Sequence, residues 1–315
     1  MEPSPASILL IKPGSLGDVV HALPVAAALH RAWPAATLTW VIDPRWASVL
    51  ADNPAVAALL PFDRQNYRGP AGLLRAGRWL LGLRNRRPDL AIDLQGLLRS
   101  ALIARATRPG RIVGLSDARE GATAFYEAAA PVHARQHAVD RYLAVLPLLG
   151  LDIPAAPGFP LGPGEPIDAP DHFLLLHPYA RGAGKSLTGE QIVALAERLA
   201  PATVVLAGVG TAPANLPANV VDFTNRTTLP QLIHLLRRTR AVVSVDSGPM
   251  HLAAAVGARL LSIHTWSDPQ KVGPYSENAW IWQGGELRPQ NLSASALPER
   301  PLAARDLDAI AAWAT

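Results

Sequence analysis

The stretch Ile8-Leu-Leu-Ile-Lys-Pro-Gly-Ser-Leu-Gly-Asp18-Val-Val-His21 decides the fold class: an apolar run of strand length enters a Gly-containing turn that delivers one carboxylate to the start of a helix. In α/β folds, ligands and chemistry gather at junctions of this kind. Asp18 is flanked by apolar Leu16, Val19 and Val20 and would sit near helical N–H groups. Its pKa and orientation are then set by its surroundings and not by bulk water, which makes it a general-base candidate.

Outward from this junction, strand-length apolar runs at residues 8–11, 37–42, 56–60, 90–93 and 111–114 alternate with helix-like segments that begin near Asp18, Pro44, Pro70 and Gly96. Such alternation predicts a parallel sheet covered by helices on both faces. A helix over residues 137–149, with Val139, Tyr142, Leu143, Leu146 and Leu149 on one face, closes the first unit. Residues 150–170 then carry Pro154, Pro157, Pro160, Pro163, Pro166 and Pro170, too much proline for a helix or a central strand.

Beyond that linker the pattern restarts, with strands at 173–177, 203–207, 241–245 and 259–264 and helices at 188–199, 229–238 and 248–256. The expected organisation is a first α/β domain over 1–155, a linker over 156–170, a second α/β domain over 171–300, and a C-terminal helix within 301–315 that packs back across the first domain. Two domains of this size imply a cleft.

Composition narrows the chemistry. The 315 residues are 49% apolar and include no cysteine, which excludes disulfides, thiolate metal sites and thiol nucleophiles. The first residues lack the basic and apolar regions of a signal peptide, and 8–11 is too short to span a bilayer, so a cytoplasmic protein is expected. Net charge is +4, and the 29 basic residues include only three lysines, Lys12, Lys185 and Lys271. Twelve arginines fall between Arg64 and Arg119 against three acids, Asp89, Asp93 and Asp117.

Such a basic half suits an anionic small molecule or lipid headgroups. The bland alternative is a genomic preference for arginine on solvated helix faces. No zinc finger, RNP-like strand or long basic helix points to nucleic acid.

Two segments of the second half offer phosphate chemistry. In Ala241-Val-Val-Ser-Val-Asp246-Ser-Gly-Pro-Met-His251, a buried strand runs into a helix with Pro249 near its first turn, and the N–H groups of Ser247 and Gly248 form an anion site. The alternative is a well-capped core helix with a buried His251.

In His177-Pro-Tyr-Ala-Arg-Gly-Ala-Gly-Lys185-Ser-Leu-Thr188, the Gly-Lys-Ser ending invites a P-loop reading. That reading fails, because the motif's first glycine would fall on Tyr179 and the spacing of Thr188 to Gln191 starts the helix later. What survives is a Gly-rich turn carrying a scarce lysine, or else a solvated loop lysine. In the first half, Asp93-Leu-Gln95-Gly96-Leu-Leu-Arg99-Ser100 and Ala118-Arg119-Glu120-Gly121 are polar where strand ends and loops face a cleft. No histidine or acidic cluster suggests a bound metal, and no cofactor is implied.

Taken in order, Ser15-Leu-Gly-Asp18-Val-Val-His21, Asp93-x-Gln95-Gly96, Ala118-Arg119-Glu120, Gln136-His137-Ala-Val-Asp140-Arg141, Gly184-Lys185 and Asp246-Ser-Gly-x-x-His251 resemble the bacterial heptosyltransferases of lipopolysaccharide core synthesis, glycosyltransferase family 9, most closely the type I enzymes. The resemblance runs over nearly the whole chain. It implies the GT-B architecture, two Rossmann-like domains facing across a cleft, and metal-independent transfer by a monomer.

By residue, the resemblance implies that Asp18 deprotonates the acceptor hydroxyl, which attacks the anomeric carbon of a nucleotide-activated heptose, ADP-heptose, with inversion. Ser15 and Gly17 shape that turn and belong with the donor phosphates. Lys185, Asp246, Ser247, Gly248 and His251 hold the diphosphate. Arg64, Arg68, Arg119 and Gln95 meet an anionic lipid A-type acceptor, with peripheral contact to the inner membrane. This chain has Lys185-Ser-Leu-Thr188 where relatives usually have Lys-x-Trp-Pro, and its loop over 207–213 lacks an acid for the ribose. Two other readings remain on these residues: a nucleotide-sugar 2-epimerase of the same architecture, and a sugar-nucleotide-binding protein without catalysis.

Overall fold

The computed structural model describes residues 4–182, 184–290, 297, 298 and 300–315. The chain divides into two units, Met1–Gly162 and Pro163–Thr315, at a point inside the proline-rich linker.

In the first unit the strands are β1 (Ser7–Ile11), β2 (Thr37–Ile42), β3 (Ala58–Pro61), β4 (Leu90–Asp93), β5 (Arg111–Leu115) and β6 (Ala128–Ala130), joined by helices α1 (Leu16–Ala32), α2 (Gly69–Gly82), α3 (Leu98–Ala106) and α4 (Ala138–Leu143). All six strands are parallel, in the order β3-β2-β1-β4-β5-β6. β1 is central because Ile8, Leu9, Leu10 and Ile11 are all buried, which a strand achieves only with helices on both faces.

The chain order reverses between β1 and β4, and the ends of these two strands form the unit's switch point, the usual place for a ligand in such a sheet. The segment after Pro44 is a 3₁₀ turn and not a full helix. The helix expected over 137–149 stops at Leu143, and a separate 3₁₀ turn over Leu146–Leu149 follows, because Pro147 has no N–H to continue it.

The second unit contains β7 (Leu174–His177), α5 (Gly189–Arg198), β8 (Val204–Gly208), β9 (Val220–Thr224), α6 (Leu229–Arg238), β10 (Ala241–Val245), α7 (Gly248–Ala255), β11 (Leu260–His264), α8 (Pro269–Val272), β12 (Ala279–Gln283), β13 (Glu286–Pro289) and α9 (Ala304–Ala314). Its sheet runs β13-β12-β11-β10-β7-β8-β9, parallel except for the β12–β13 hairpin. The first six of its strands repeat the order of the first unit, with the switch point between β7 and β10.

Strands β6, β9, β12 and β13 have no counterpart in the expected pattern. β6 is three alanines, and β9 is only half-buried, so neither presents a run of large apolar residues.

The C-terminal helix α9, expected on the first domain, places Leu307, Ile310, Ala311 and Ala314 in the core of the second unit with Ile192, Leu195 and Leu199. The side-chain amide of Gln191 also donates to the Leu302 carbonyl at 2.9 Å. The apolar stripe of α9 at i, i+3, i+4 and i+7 meets the matching stripe of α5.

Candidate active site

Lys12 follows β1 directly, and Gly14 makes the turn into α1. Its φ is +156°, and a Cβ there would lie 2.8 Å from the indole nitrogen of Trp46, so only glycine fits. Ser15 is the N-cap of α1 and Asp18 its third residue, and the two interlock: Asp18 Oδ2 accepts from the Ser15 N–H at 2.8 Å and from the Ser15 hydroxyl at 3.0 Å. Its other oxygen, Oδ1, accepts from the Tyr142 hydroxyl at 2.8 Å and lies 3.4 Å from Lys12 Nζ. Lys12 is buried, donates to the Leu94 carbonyl at 3.3 Å, and has its ammonium 4.7 Å from the centre of the Tyr142 ring.

These contacts decide the charge on Asp18. Removal from water pushes the carboxyl up, but the Lys12 charge, the Tyr142 hydroxyl and the Ser15 donors together outweigh it and hold Asp18 below the ordinary carboxylate range. Lys12 is itself pulled down by burial, only partly offset by Asp18, and burial beside Asp18 holds Tyr142 well above the ordinary phenol range as a permanent donor. The Asp18 side chain keeps 36% of its surface exposed, so the ionised carboxylate remains reachable.

Tyr142 is the residue that sequence reasoning missed, because it lies 124 positions from Asp18 and reads as one apolar position of a helix. His137 caps α4 by accepting from the Val139 N–H at 3.1 Å, and its ring meets His21 edge-on at 5.4 Å between centres. The Gln136–Arg141 motif therefore places Tyr142 against α1. Gly17 is buried within the first turn of α1, and Ser15 is committed to Asp18.

At the other side of the switch point, Asp93 ends β4 and is fully buried. It accepts from the N–H groups of Gln95 at 2.9 Å and Gly96 at 3.0 Å and from the Tyr126 hydroxyl at 2.7 Å. Burial nonetheless leaves its pKa above the ordinary carboxylate value. The Tyr126 ring fits because residue 114 is glycine: a Cβ there would overlap the ring.

The Asp93–Gly96 turn is bonded to the Arg119 loop through Arg119 N–H to the Gly96 carbonyl at 2.8 Å and Leu98 N–H to the Glu120 carboxylate at 3.2 Å. Gln95 is half-buried, while Arg64, Arg68 and Arg119 are exposed. The Arg99 guanidinium has its pKa lowered by burial and then by the charges of Arg64 and Arg119, with Glu120 opposing. Arg64, Arg99 and Arg119 therefore share one basic patch, and Arg68 is the N-cap residue of α2. Arg99 belongs to the polar segment after β4, and its grouping with Arg64 is what the structure adds.

In the second unit, His177 ends β7 and Asp246 follows β10, the neighbouring strand. His177 Nδ1 lies 3.3 Å from the Ser247 hydroxyl, and burial lowers its pKa to about 4, so its ring is neutral. Ser247 is the N-cap of α7. Asp246, Ser247 and Gly248 are half-buried, and His251 is buried one turn inside.

The loop from Pro178 to Leu187 is closed by its two ends, with Leu187 N–H on the Pro178 carbonyl at 2.9 Å, and by Ser186, whose hydroxyl bridges the N–H and carbonyl of Ala180. Within it, the Lys185 ammonium rests 3.1 Å from the centre of the Trp266 ring, on the loop after β11. Helix α5 begins only after Thr188, whose hydroxyl accepts from Gln191 N–H at 3.2 Å while the Gln191 side chain accepts from Thr188 N–H at 2.9 Å, so Lys185 is not at a helix start as a P-loop requires. The loop over 207–213 is clamped by Asn225, which bonds both the N–H and the carbonyl of Gly210. Among the described residues no group of three or more His, Cys, Asp or Glu could hold a metal ion, and no helix is long and apolar enough to cross a membrane.

Two Rossmann-like units in one chain, each with polar residues at its switch point, are the GT-B architecture. The sequence profile of glycosyltransferase family 9 (heptosyltransferase) matches residues 78–295, and the chain belongs to that family. It is 32% identical over 291 residues to lipopolysaccharide heptosyltransferase 1 of Pseudomonas aeruginosa, covering 86% of this chain and 82% of that protein. It is 26% identical over 314 residues to lipopolysaccharide heptosyltransferase 1 of Escherichia coli K12, covering 93% and 98%. Among solved structures, E. coli heptosyltransferase WaaC with ADP-2-deoxy-2-fluoro heptose superposes with a TM-score of 0.76 at 25% identity, covering 88% of this chain and 93% of that one.

Proposed function

We propose that this chain is an inverting glycosyltransferase that moves heptose from ADP-heptose to the Kdo-lipid A inner core of lipopolysaccharide, on the cytoplasmic face of the inner membrane. The observation that carries the proposal is Asp18: an ionised, solvent-reachable carboxylate at the switch point of the first unit, held by Lys12, Tyr142 and Ser15. The donor assignment is supported by the WaaC structure, which holds an ADP-heptose analogue. The acceptor assignment is supported by the two heptosyltransferase 1 relatives.

In this reading the acceptor hydroxyl attacks the anomeric carbon from the face opposite the diphosphate. Its proton passes to Asp18, and the carbon–oxygen bond to the donor breaks with its electron pair going to ADP. A carboxylate kept below its ordinary pKa is always ionised at neutral pH but is a weak base, so the proton moves late, when the attacking oxygen has become acidic. Lys185 and the N–H groups at the start of α7 take the charge of the departing diphosphate. In this scheme they supply what a metal supplies elsewhere. Arg64, Arg68, Arg99 and Arg119, with Gln95, meet the acidic sugar and phosphates of the acceptor.

The test is a donor screen on purified protein, with ADP-heptose against UDP- and GDP-sugars, a Kdo-lipid A acceptor, and EDTA present. The expected result is transfer from ADP-heptose alone, undiminished by EDTA. Transfer from a UDP- or GDP-sugar, donor turnover to an epimer without an acceptor, or loss of activity in EDTA would overturn the corresponding part.

A further inference from the structure

Helix α2 (Gly69–Gly82) leaves large apolar side chains in water. Leu73 is 69% exposed, Leu74 70% and Leu81 52%, the most exposed leucines of the described chain. The inner face of the helix is already occupied: Trp79 packs on Phe62 and Tyr67 at ring separations of 5.4 and 5.9 Å, and Leu80 joins the same core. At about 100° per residue, Pro70, Leu73, Leu74, Gly77 and Leu81 fill one outward arc, and Arg78 borders it. Arg84, Arg86 and Arg87 follow, all exposed, and the nearest acid in sequence is Asp89. The neighbouring α3 bares Leu98, Leu102 and Arg105 as well.

We propose that this apolar and basic face of α2 docks on an anionic lipid bilayer, with Leu73, Leu74 and Leu81 entering the headgroup boundary and Arg78, Arg84, Arg86 and Arg87 meeting lipid phosphates. The pattern is that of a helix lying in a membrane interface. Bare leucines have no counterpart on a nucleic acid backbone, and the like charge of the arginines opposes pairing with a second copy. The turn before α2 carries Arg64, which shares a patch with Arg99 and Arg119. Docking here would bring that patch to the membrane surface. This inference rests on the proposed lipid-anchored acceptor, and it explains how a chain without a membrane-spanning helix among its described residues reaches one.

The test is flotation of the full chain with vesicles of phosphatidylcholine alone or with one-third phosphatidylglycerol, at low and high salt. Wild-type protein is expected to float with the anionic vesicles and to be released by salt. The triple variant L73S/L74S/L81S should partition at least about tenfold more weakly, and Arg78→Gln and Arg84→Gln should each cost up to about fivefold. All of these positions are exposed, so folding is preserved, and turnover of a deacylated, water-soluble acceptor should stay at the wild-type level while turnover of a vesicle-embedded acceptor falls. Wild-type protein that ignores anionic vesicles, or a leucine variant that floats equally well, would overturn the docking face. So would a dimer that the leucine changes abolish in the absence of vesicle binding. Absence of turnover on every acceptor, with flotation intact, would instead count against the proposed reaction.

Discussion

Replacing Asp18 by Asn tests both the base proposed above and the counter-charge that this carboxylate supplies to Lys12. The substituted side chain could still accept from Ser15 through its single oxygen, but its amide nitrogen would then meet the Tyr142 hydroxyl and Lys12 Nζ where Asp18 Oδ1 now stands, 2.8 and 3.4 Å away. Lys12, with 5% of its side chain exposed, would lose its counter-charge. Removing one partner of a fully buried pair costs about 3–5 kcal/mol. Because 36% of the Asp18 side chain is exposed, water screens the pair, and we expect about 2 kcal/mol. For a unit of this size that lowers the melting temperature by about 4–8 °C.

Transfer should fall by about 10²–10⁴-fold with donor binding retained, the range for loss of a general base. The double variant Lys12→Met with Asp18→Asn separates the roles. It removes the stranded charge and packs a thioether on the Tyr142 ring, so thermal stability should return while transfer does not. Calorimetry and initial rates on the same preparations decide the matter. Wild-type turnover in the single variant, or restored turnover in the double variant, would refute Asp18 as the base.

Gly114→Ala should destabilise the first unit by about 2–4 kcal/mol in urea unfolding, because the new methyl displaces Tyr126 and strips a donor from buried Asp93; an unchanged midpoint would contradict this seating of the ring. Lys185→Ala should weaken donor binding and transfer together by about 10–100-fold, whereas Trp266→Ala, which removes only the ring beneath the ammonium, should cost less than about tenfold. Equal losses in titration calorimetry would show that Trp266 contacts the donor itself, and unchanged kinetics of the lysine variant would remove Lys185 from the donor side. Burial lowers His177 to about 4 and His264 to about 3. Each contributes stability that is complete above the unfolded value of about 6.5 and is lost as pH falls toward the folded value, at up to about 1.4 kcal/mol per pH unit per histidine. His264→Asn should flatten that slope in the second unit. A wild-type stability constant across this window would sink the idea of neutral buried rings.

Much of the fold was legible because buried parallel strands must be continuous apolar runs and the helices between them carry their caps in sequence. The run at 8–11, the strand at 241–245 and the helix at 229–238 emerge where they were expected. Strands β6 and β9 were not legible, since three alanines and a half-buried strand owe their place to neighbours already in the sheet. The packing partner of α9 was not legible for a related reason: an apolar stripe shows that a helix face is buried, and it does not say against what.

By itself, the sequence determined that an α/β unit occurs twice, that a carboxylate stands at a strand-to-helix turn, and that the basic residues are many arginines and only three lysines. These follow from local periodicity and from composition. Tertiary structure alone decided that Asp18 shares its charge with Lys12 and its oxygen with Tyr142, that Arg99 joins Arg64 and Arg119, and that Lys185 lies on Trp266. Those pairings arise where parallel strands align their C-terminal ends and bring together residues far apart in the chain, and the interaction energies that set a carboxylate's charge act over a few ångströms of space, whatever the separation in sequence.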